Sequence, residues 1–287
     1  MHKLFLTIAG AACLISGAAQ AQSSDAVLDR IRQKNTITIG YREASIPFSY
    51  LDDARRPVGY SIAICMKVVE AVKLKLDRPN LTVNFVAVNP QNRIPLVANG
   101  TVDIECGSTV NTIARQSQVD FSATPFISTT RLLVKAGSGI REVEDLDGKA
   151  VALPINTTPE RLIKALIEAA KLNVRIVPVR DNSEGFLALS TGRADAFSTD
   201  DILLFGLRAA TANPADYAVV GRPLSFDPYG MMIQKNSTVF LTLVNATIAR
   251  MTRSGELQAL YDTWFTRLSV PLSPDLAAAF KLQAIPE

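Results

Sequence analysis

Gly100-Thr-Val-Asp-Ile-Glu-Cys-Gly-Ser108-Thr109 and Gly192-Arg-Ala-Asp-Ala-Phe-Ser198-Thr199-Asp200 echo one another across the chain. Each reads as a glycine that ends a helix, a short strand with Asp at its second position, and then hydroxyl residues. Outward from the first copy, residues 92–98 form a short helix that Gly100 ends. Residues 81–88 alternate and then turn apolar, the pattern of a buried strand. Residues 62–74 are a largely apolar helix, residues 36–41 a β-branched strand, and residues 24–32 a helix with Val27, Leu28 and Ile31 on one face. Around the second copy the pattern restarts, with strands at 149–153, 174–179 and 194–197. Thr158-Pro159-Glu160 opens a helix to about residue 172, with Thr158 as its cap. Residues 184–191 form a helix ended by Gly192, and Asp200 caps the helix that follows. The tail adds helices at 237–253 and 257–268, broken by Gly255, with Trp264 packing in the second. Strand–helix alternation predicts an α/β chain of mainly parallel sheets with covering helices. Ligands of such sheets bind beyond the carboxyl ends of the strands, so two Ser/Thr-rich strand ends facing each other frame a cleft.

Composition narrows the chemistry. Thirty Lys+Arg against 27 Asp+Glu give 287 residues a formal charge of +3, too small to mark a nucleic-acid binder. Hydrophobic residues at 48% and charged residues at 20% argue against disorder. The single histidine is His2. Met1-His2-Lys3 is a short basic start, an apolar run follows, and Ala19-Gln20-Ala21 is an A-x-A cleavage site, the pattern of a secretory signal peptide over residues 1–21. The run of about 12 residues is too short to span a bilayer, which takes roughly 20. A lipoprotein reading at Cys13 fits poorly, because Gly10 stands where a large aliphatic is wanted. Cleavage before Gln22 leaves a charge of +2 and no histidine, which excludes Ser-His-Asp and Cys-His mechanisms and His-ligated metals. It also leaves Cys65 and Cys106, either as a disulfide or as two buried thiols.

The residues able to carry chemistry are arginines, hydroxyls and one Asp. Arg42, Arg93, Arg115 and Arg131 all lie near strand ends or crossings. A guanidinium holds a carboxylate through two parallel charge-assisted hydrogen bonds, so together they point to an anionic small ligand. Singly, each reads as a solvated or ion-paired arginine. Asp200 is either a helix cap or a carboxylate for a ligand ammonium, and both roles are compatible. Thr157 and Thr158 are caps whose neighbouring free amides attract a carboxylate. Asp103 and Glu105, two apart on a strand, have glycosidase spacing, but nothing else indicates sugar chemistry.

These residues sit within a wider pattern. Gly40-Tyr-Arg-Glu-Ala-Ser-Ile-Pro-Phe-Ser-Tyr50, Gln91-Asn-Arg-Ile-Pro-Leu96, Glu105-Cys-Gly-Ser-Thr109, Gly148-Lys-Ala-Val151 and Asp200-Asp-Ile-Leu-Leu204 together resemble the solute-binding proteins of polar amino acid ABC importers, family 3, and most of all the glutamate/aspartate-binding members. The resemblance covers essentially all of residues 22–287. It implies a two-lobed periplasmic binding protein type II fold, with lobe 1 discontinuous (22–132 and 224–287), lobe 2 at 133–223, and a hinge near Arg131 and residues 225–229. It implies that Arg115 clamps a ligand α-carboxylate with Ser108, that Asp200 receives the α-ammonium, that Arg42 and Arg93 take a side-chain carboxylate, and that Thr157 adds a hydroxyl. It implies an acidic amino acid ligand, no cofactor or metal, a membrane permease partner, a monomer, and a periplasmic location. Pro90, Val110, Pro154 and Asn182 depart from the family's Ser, Thr, Thr and His. Met231 stands where the family has a Cys to pair with Cys106, so that bond is lost and Cys65–Cys106 stays open. The contrasting expectation is an exported dehydratase-like enzyme of the same fold, with Glu43 or Glu105 as acid or base. A tethered sensor domain is a third reading.

Overall fold

The computed structural model describes residues 25–286, so the expected leader at 1–21 lies outside the described residues. Two five-stranded sheets organise the chain. The first runs Thr82–Ala87, Thr36–Tyr41, Ile104–Glu105, Met232–Gln234, Val119–Phe121. Its first three strands are parallel, and Met232–Gln234 is antiparallel to both neighbours. The second runs Arg175–Val179, Ala150–Pro154, Ala196–Asp200, Thr130–Lys135, Tyr217–Val220. Again the first three are parallel and the fourth is antiparallel to both neighbours. The two sheets thus share one strand order and one pattern of strand sense. The echoed segments occupy the same central place in each: Ile104–Glu105 and Ala196–Asp200 are both third in order. The repetition read in the sequence is therefore architectural.

The chain passes between the sheets through an antiparallel ribbon, Phe126–Ser128 paired with Asp227–Tyr229. Thr130, just beyond the ribbon, already pairs with Asp200 in the second sheet. An aromatic cluster anchors the ribbon to the first lobe. Phe48 stands edge-on to Phe126 at 4.8 Å and at 5.1 Å from Tyr229, and Phe126 stacks on Phe265 at 4.8 Å. Such contacts contribute about 0.5–1.5 kcal/mol each beyond burial. The same core holds the helix Tyr60–Leu76, which carries the disulfide from Cys65 to Cys106, both fully buried. That settles the thiol question left open above.

Several local expectations are corrected. Thr82–Ala87 is an edge strand with no fully buried residue, since its apolar face is covered while its outer edge has no partner. The helix Thr158–Ala169 is capped by Thr157, one residue earlier than expected, with Thr158 and Pro159 in its first turn. Past its C-terminal end the chain turns at Lys171, which adopts φ 54°. The strand expected at 102–106 is confined to Ile104–Glu105. Trp264 packs edge-on to Tyr50 at 6.2 Å, with Arg267 over its ring. Among the described residues no helix is long and apolar enough to cross a membrane.

Candidate functional site

A narrow cavity lies between the carboxyl ends of the two sheets. Arg42, Arg93, Ser108, Arg115, Thr157 and Asp200 all line it, as do Val110, Thr158, Asn182 and Leu203. Arg131 does not. Its guanidinium donates to Gly221 O at 2.8 Å, so it braces the second sheet instead.

Local structure positions each group. Arg42 follows the strand Thr36–Tyr41, and Ser49 pins it: its amide donates to Ser49 Oγ at 2.8 Å, and its carbonyl accepts the hydroxyl at 3.3 Å. Arg93 opens the helix Arg93–Ala98. Ahead of it Asn89 and Asn92 exchange side-chain-to-amide bonds at 2.8 and 3.0 Å, which fixes the turn. Ser108 follows Gly107, whose carbonyl accepts from Ser61 Oγ at 2.7 Å. Arg115 is held by its Nη1, which donates to Val110 O at 2.7 Å.

The second lobe supplies helix starts. Thr157 Oγ1 accepts from the Glu160 amide at 3.2 Å and donates to Pro154 O at 2.7 Å. Its hydroxyl proton is therefore committed to Pro154 O and its oxygen to the cap, and the cavity meets the first turn of that helix. Asp200 stands at the cap position of the helix Asp201–Ala209, yet its side chain makes no capping bond, contrary to that expectation. Asp201 takes the work, accepting from its own neighbour's amide, Ile202, at 2.7 Å and from Ser128 Oγ at 2.7 Å. Asp200 Oδ2 accepts from Tyr229 Oη at 2.5 Å, while Oδ1 is buried with no partner. Tyr229 was not singled out in the sequence; nothing local to it signals a partner 29 residues away.

Electrostatics make the cavity a poised anion site. Burial pushes Arg93 well below its ordinary value, and Arg115 and Arg42 push the same way. Its Nε and Nη1 are buried without acceptors. Burial also lowers Arg42, against the pull of Glu105. Arg115 is lowered to about 10, chiefly by burial. Asp200 is raised to about 8 by burial and by Asp227, opposed by Tyr229 and Arg115. Unpaired buried donors and acceptors are costly, and here they face one space from opposite lobes. The arrangement suits a ligand carrying carboxylates and an ammonium. Among the described residues no His/Cys/Asp/Glu group is suited to a metal. Asp103 is bound to Arg30 at 2.8 Å and to the Thr38 amide at 2.8 Å, so it is structural and forms no catalytic pair with Glu105.

The comparisons with known proteins agree with this geometry. Over 280 residues the chain is 44% identical to the L-glutamate/L-aspartate-binding protein of Pseudomonas aeruginosa, covering 94% of this chain and 93% of that one. It is 41% identical to the glutamate/aspartate import solute-binding protein of Escherichia coli, with 94% of each covered. The solved cysteine-binding protein of Campylobacter jejuni superposes with a TM-score of 0.73 at 27% identity, over 84% of this chain and 93% of that one. These relatives are solute-binding proteins, not enzymes. With the family model matching residues 37–267 and the paired sheets enclosing an arginine-lined cleft, the chain belongs to the bacterial extracellular solute-binding proteins, family 3.

Proposed function

We propose that this protein captures L-glutamate or L-aspartate in the periplasm by closing its two lobes, and delivers the ligand to the permease of an ABC importer. The observation that carries the reading is the convergence of three buried arginines and one unpaired carboxylate oxygen on a single cavity. Arg115 and Ser108 hold the α-carboxylate. Asp200 Oδ1 receives the α-ammonium. Arg93, through its free Nε and Nη1, and Arg42 take the side-chain carboxylate. Thr157 and the first turn of its helix add partial positive charge from the second lobe.

The lobes divide at the ribbon, with residues 22–132 and 224–287 on one side and 133–223 on the other. The crossings near Arg131 and residues 225–229 act as the hinge. Ligand held by one lobe is half-satisfied. Closure adds the other lobe's groups and excludes water, which strengthens each charged contact. The exported chain works as a monomer, with the leader removed and the permease as its partner. The names of the relatives favour this reading over the dehydratase.

Calorimetry on protein stripped of ligand by unfolding and refolding tests it. L-glutamate, L-aspartate, L-glutamine and glutarate are titrated in turn. Micromolar or tighter binding, worth about 8 kcal/mol or more, is expected for the acidic amino acids alone. Binding of glutarate alone would leave Asp200 without its assigned role and reopen the enzyme reading.

A further inference from the structure

We propose that Glu105 is a positioning residue that sets the charge selectivity of the cleft: its buried carboxylate cancels one of the three cavity arginines, matching the site to a ligand of net charge −1. The inference rests on the acidic amino acid reading and adds a determinant to it.

Glu105 is fully buried and does not line the cavity, so it cannot touch a ligand. Neither carboxylate oxygen has a well-formed hydrogen bond, and the Thr109 hydroxyl, itself buried without another partner, helps to draw the carboxyl down. A carboxylate in such a place either takes up a proton or is held ionised by nearby positive charge. The charges are at hand. A Cβ on Gly107 would lie 2.1 Å from Glu105 Oε1 and 2.9 Å from Arg42 Cγ, so carboxylate and arginine stem press on the same glycine. Position 107 excludes any side chain because Glu105 occupies the room. Burial raises the Glu105 carboxyl, while Arg93, Arg42 and Arg115 draw it back down. In return Glu105 opposes the lowering of Arg93 and Arg42.

The charge arithmetic is direct. With an ammonium ligand bound and Asp200 ionised to meet it, Arg42, Arg93 and Arg115 against Glu105 and Asp200 leave +1. Glutamate or aspartate brings −1, a neutral amino acid 0, and an amine-free dicarboxylate −2. Without the Glu105 charge the surplus becomes +2 and the preference moves to more negative ligands.

The test measures Kd for glutarate, L-glutamate and L-glutamine in wild type, Glu105→Gln and Glu105→Asp. In Glu105→Gln, affinity for glutarate relative to glutamate, and for glutamate relative to glutamine, should each rise about tenfold, the scale of one charge at an effective dielectric near 20. Glu105→Asp keeps the charge and should keep both ratios. A purely structural role predicts that all three ligands weaken by one common factor, and that result overturns the assignment. If Glu105→Gln does not fold, the 13C carboxyl shift of Glu105 in the wild type decides. An ionised group at neutral pH is expected, and a protonated one overturns the proposal. A wild type that binds neither L-glutamate nor L-aspartate overturns the ligand reading itself, whereas a wild type that binds glutamate while the ratios stay fixed in Glu105→Gln overturns only the role of Glu105.

Discussion

Tyr229 Oη donates to Asp200 Oδ2 at 2.5 Å, so a residue of the connecting ribbon holds the carboxylate that ends the central strand of the second sheet. The bond occupies Oδ2 and leaves Oδ1 without a partner, on a residue that lines the cavity. Tyr229 itself is pushed well above the ordinary phenol range by burial and by Asp200, so it stays a donor throughout the physiological range.

One consequence is a proton coupled to binding. With the lobes in contact Asp200 is raised to about 8, so in the closed, empty cleft at pH 7 it is mostly protonated. An ammonium ligand requires the carboxylate, so binding at pH 7 should release close to one proton. Glutamate affinity should then rise as pH climbs from 6 towards 8, by up to about tenfold per unit, and flatten above it. Stability of the ligand-free protein runs the other way. The native state binds the extra proton between the unfolded value near 4 and the folded value near 8, so Asp200 destabilises the empty protein progressively across that window. Calorimetry in two buffers of different ionisation enthalpy counts the proton, and equal apparent enthalpies at pH 7 would contradict the coupling.

Arg115 and Arg93 should fail differently. Arg115 bonds Val110 O at 2.7 Å and reaches Asn156 O of the second lobe at 3.5 Å, while Arg93 keeps two nitrogens free. Arg115→Ala removes the α-carboxylate clamp and should weaken every amino acid by about 30-fold to several thousandfold, the span of 2–5 kcal/mol for a lost charged partner. Arg93→Ala should weaken glutamate by a similar factor and glutamine far less. Competition with labelled glutamate measures both. An equal loss for glutamate and glutamine in Arg93→Ala removes it from the side-chain subsite.

The lobes were legible because their signals are local. Gly100 and Gly192 end helices, Asp and hydroxyl residues follow, and both segments become central strands. The arginines at strand ends were legible for the same reason, since a parallel sheet sends its strand ends to one side. Long-range pairing was not. Arg131 stands at a strand start instead, and its guanidinium bonds Gly221 O rather than lining the cavity. The pattern of residues 82–87 shows one covered face, but edge placement depends on which strands sit beyond it. Asp200 and Asp201 are adjacent acids before a helix, and only the placement of Ser128 and Tyr229 shows that the second is structural and the first is free.

The disulfide should carry stability without taking part in binding. Cys65 lies on the helix Tyr60–Leu76 and Cys106 directly follows the strand Ile104–Glu105, at a sequence separation of 41. Closing a loop of that length removes unfolded-state entropy worth about 4 kcal/mol. Cys65→Ala with Cys106→Ala should lower the urea midpoint by an amount that converts to about that figure. Because both sulfurs are fully buried, the native protein should resist dithiothreitol until it unfolds. Rapid reduction without denaturant would show that the bond is exposed by local opening.

Gly206 offers a test of closure that leaves every ligand contact in place. It lies on the helix Asp201–Ala209 of the second lobe, and a Cβ there would sit 2.4 Å from the Ile46 carbonyl oxygen of the first lobe. The opposing atom is backbone, so it has little room to give. Around this approach the lobes are joined by Asn182 Nδ2 donating to Ala44 O at 2.9 Å, and by Gln91 Nε2 donating to Ile155 O at 3.2 Å and Arg180 O at 3.1 Å. Gly206→Ala should therefore disfavour the closed state while the open lobes remain folded. Apparent affinity falls with the fraction of competent conformer, so a cost of about 1.4 kcal/mol reads as tenfold weaker glutamate binding. Thermal unfolding of the ligand-free protein should change little. Small-angle scattering with saturating ligand should still show contraction, but at a higher concentration than the wild type needs. Wild-type affinity in Gly206→Ala would mean that the lobes close without this backbone contact, and the hinge would then have to bring them together along a different path.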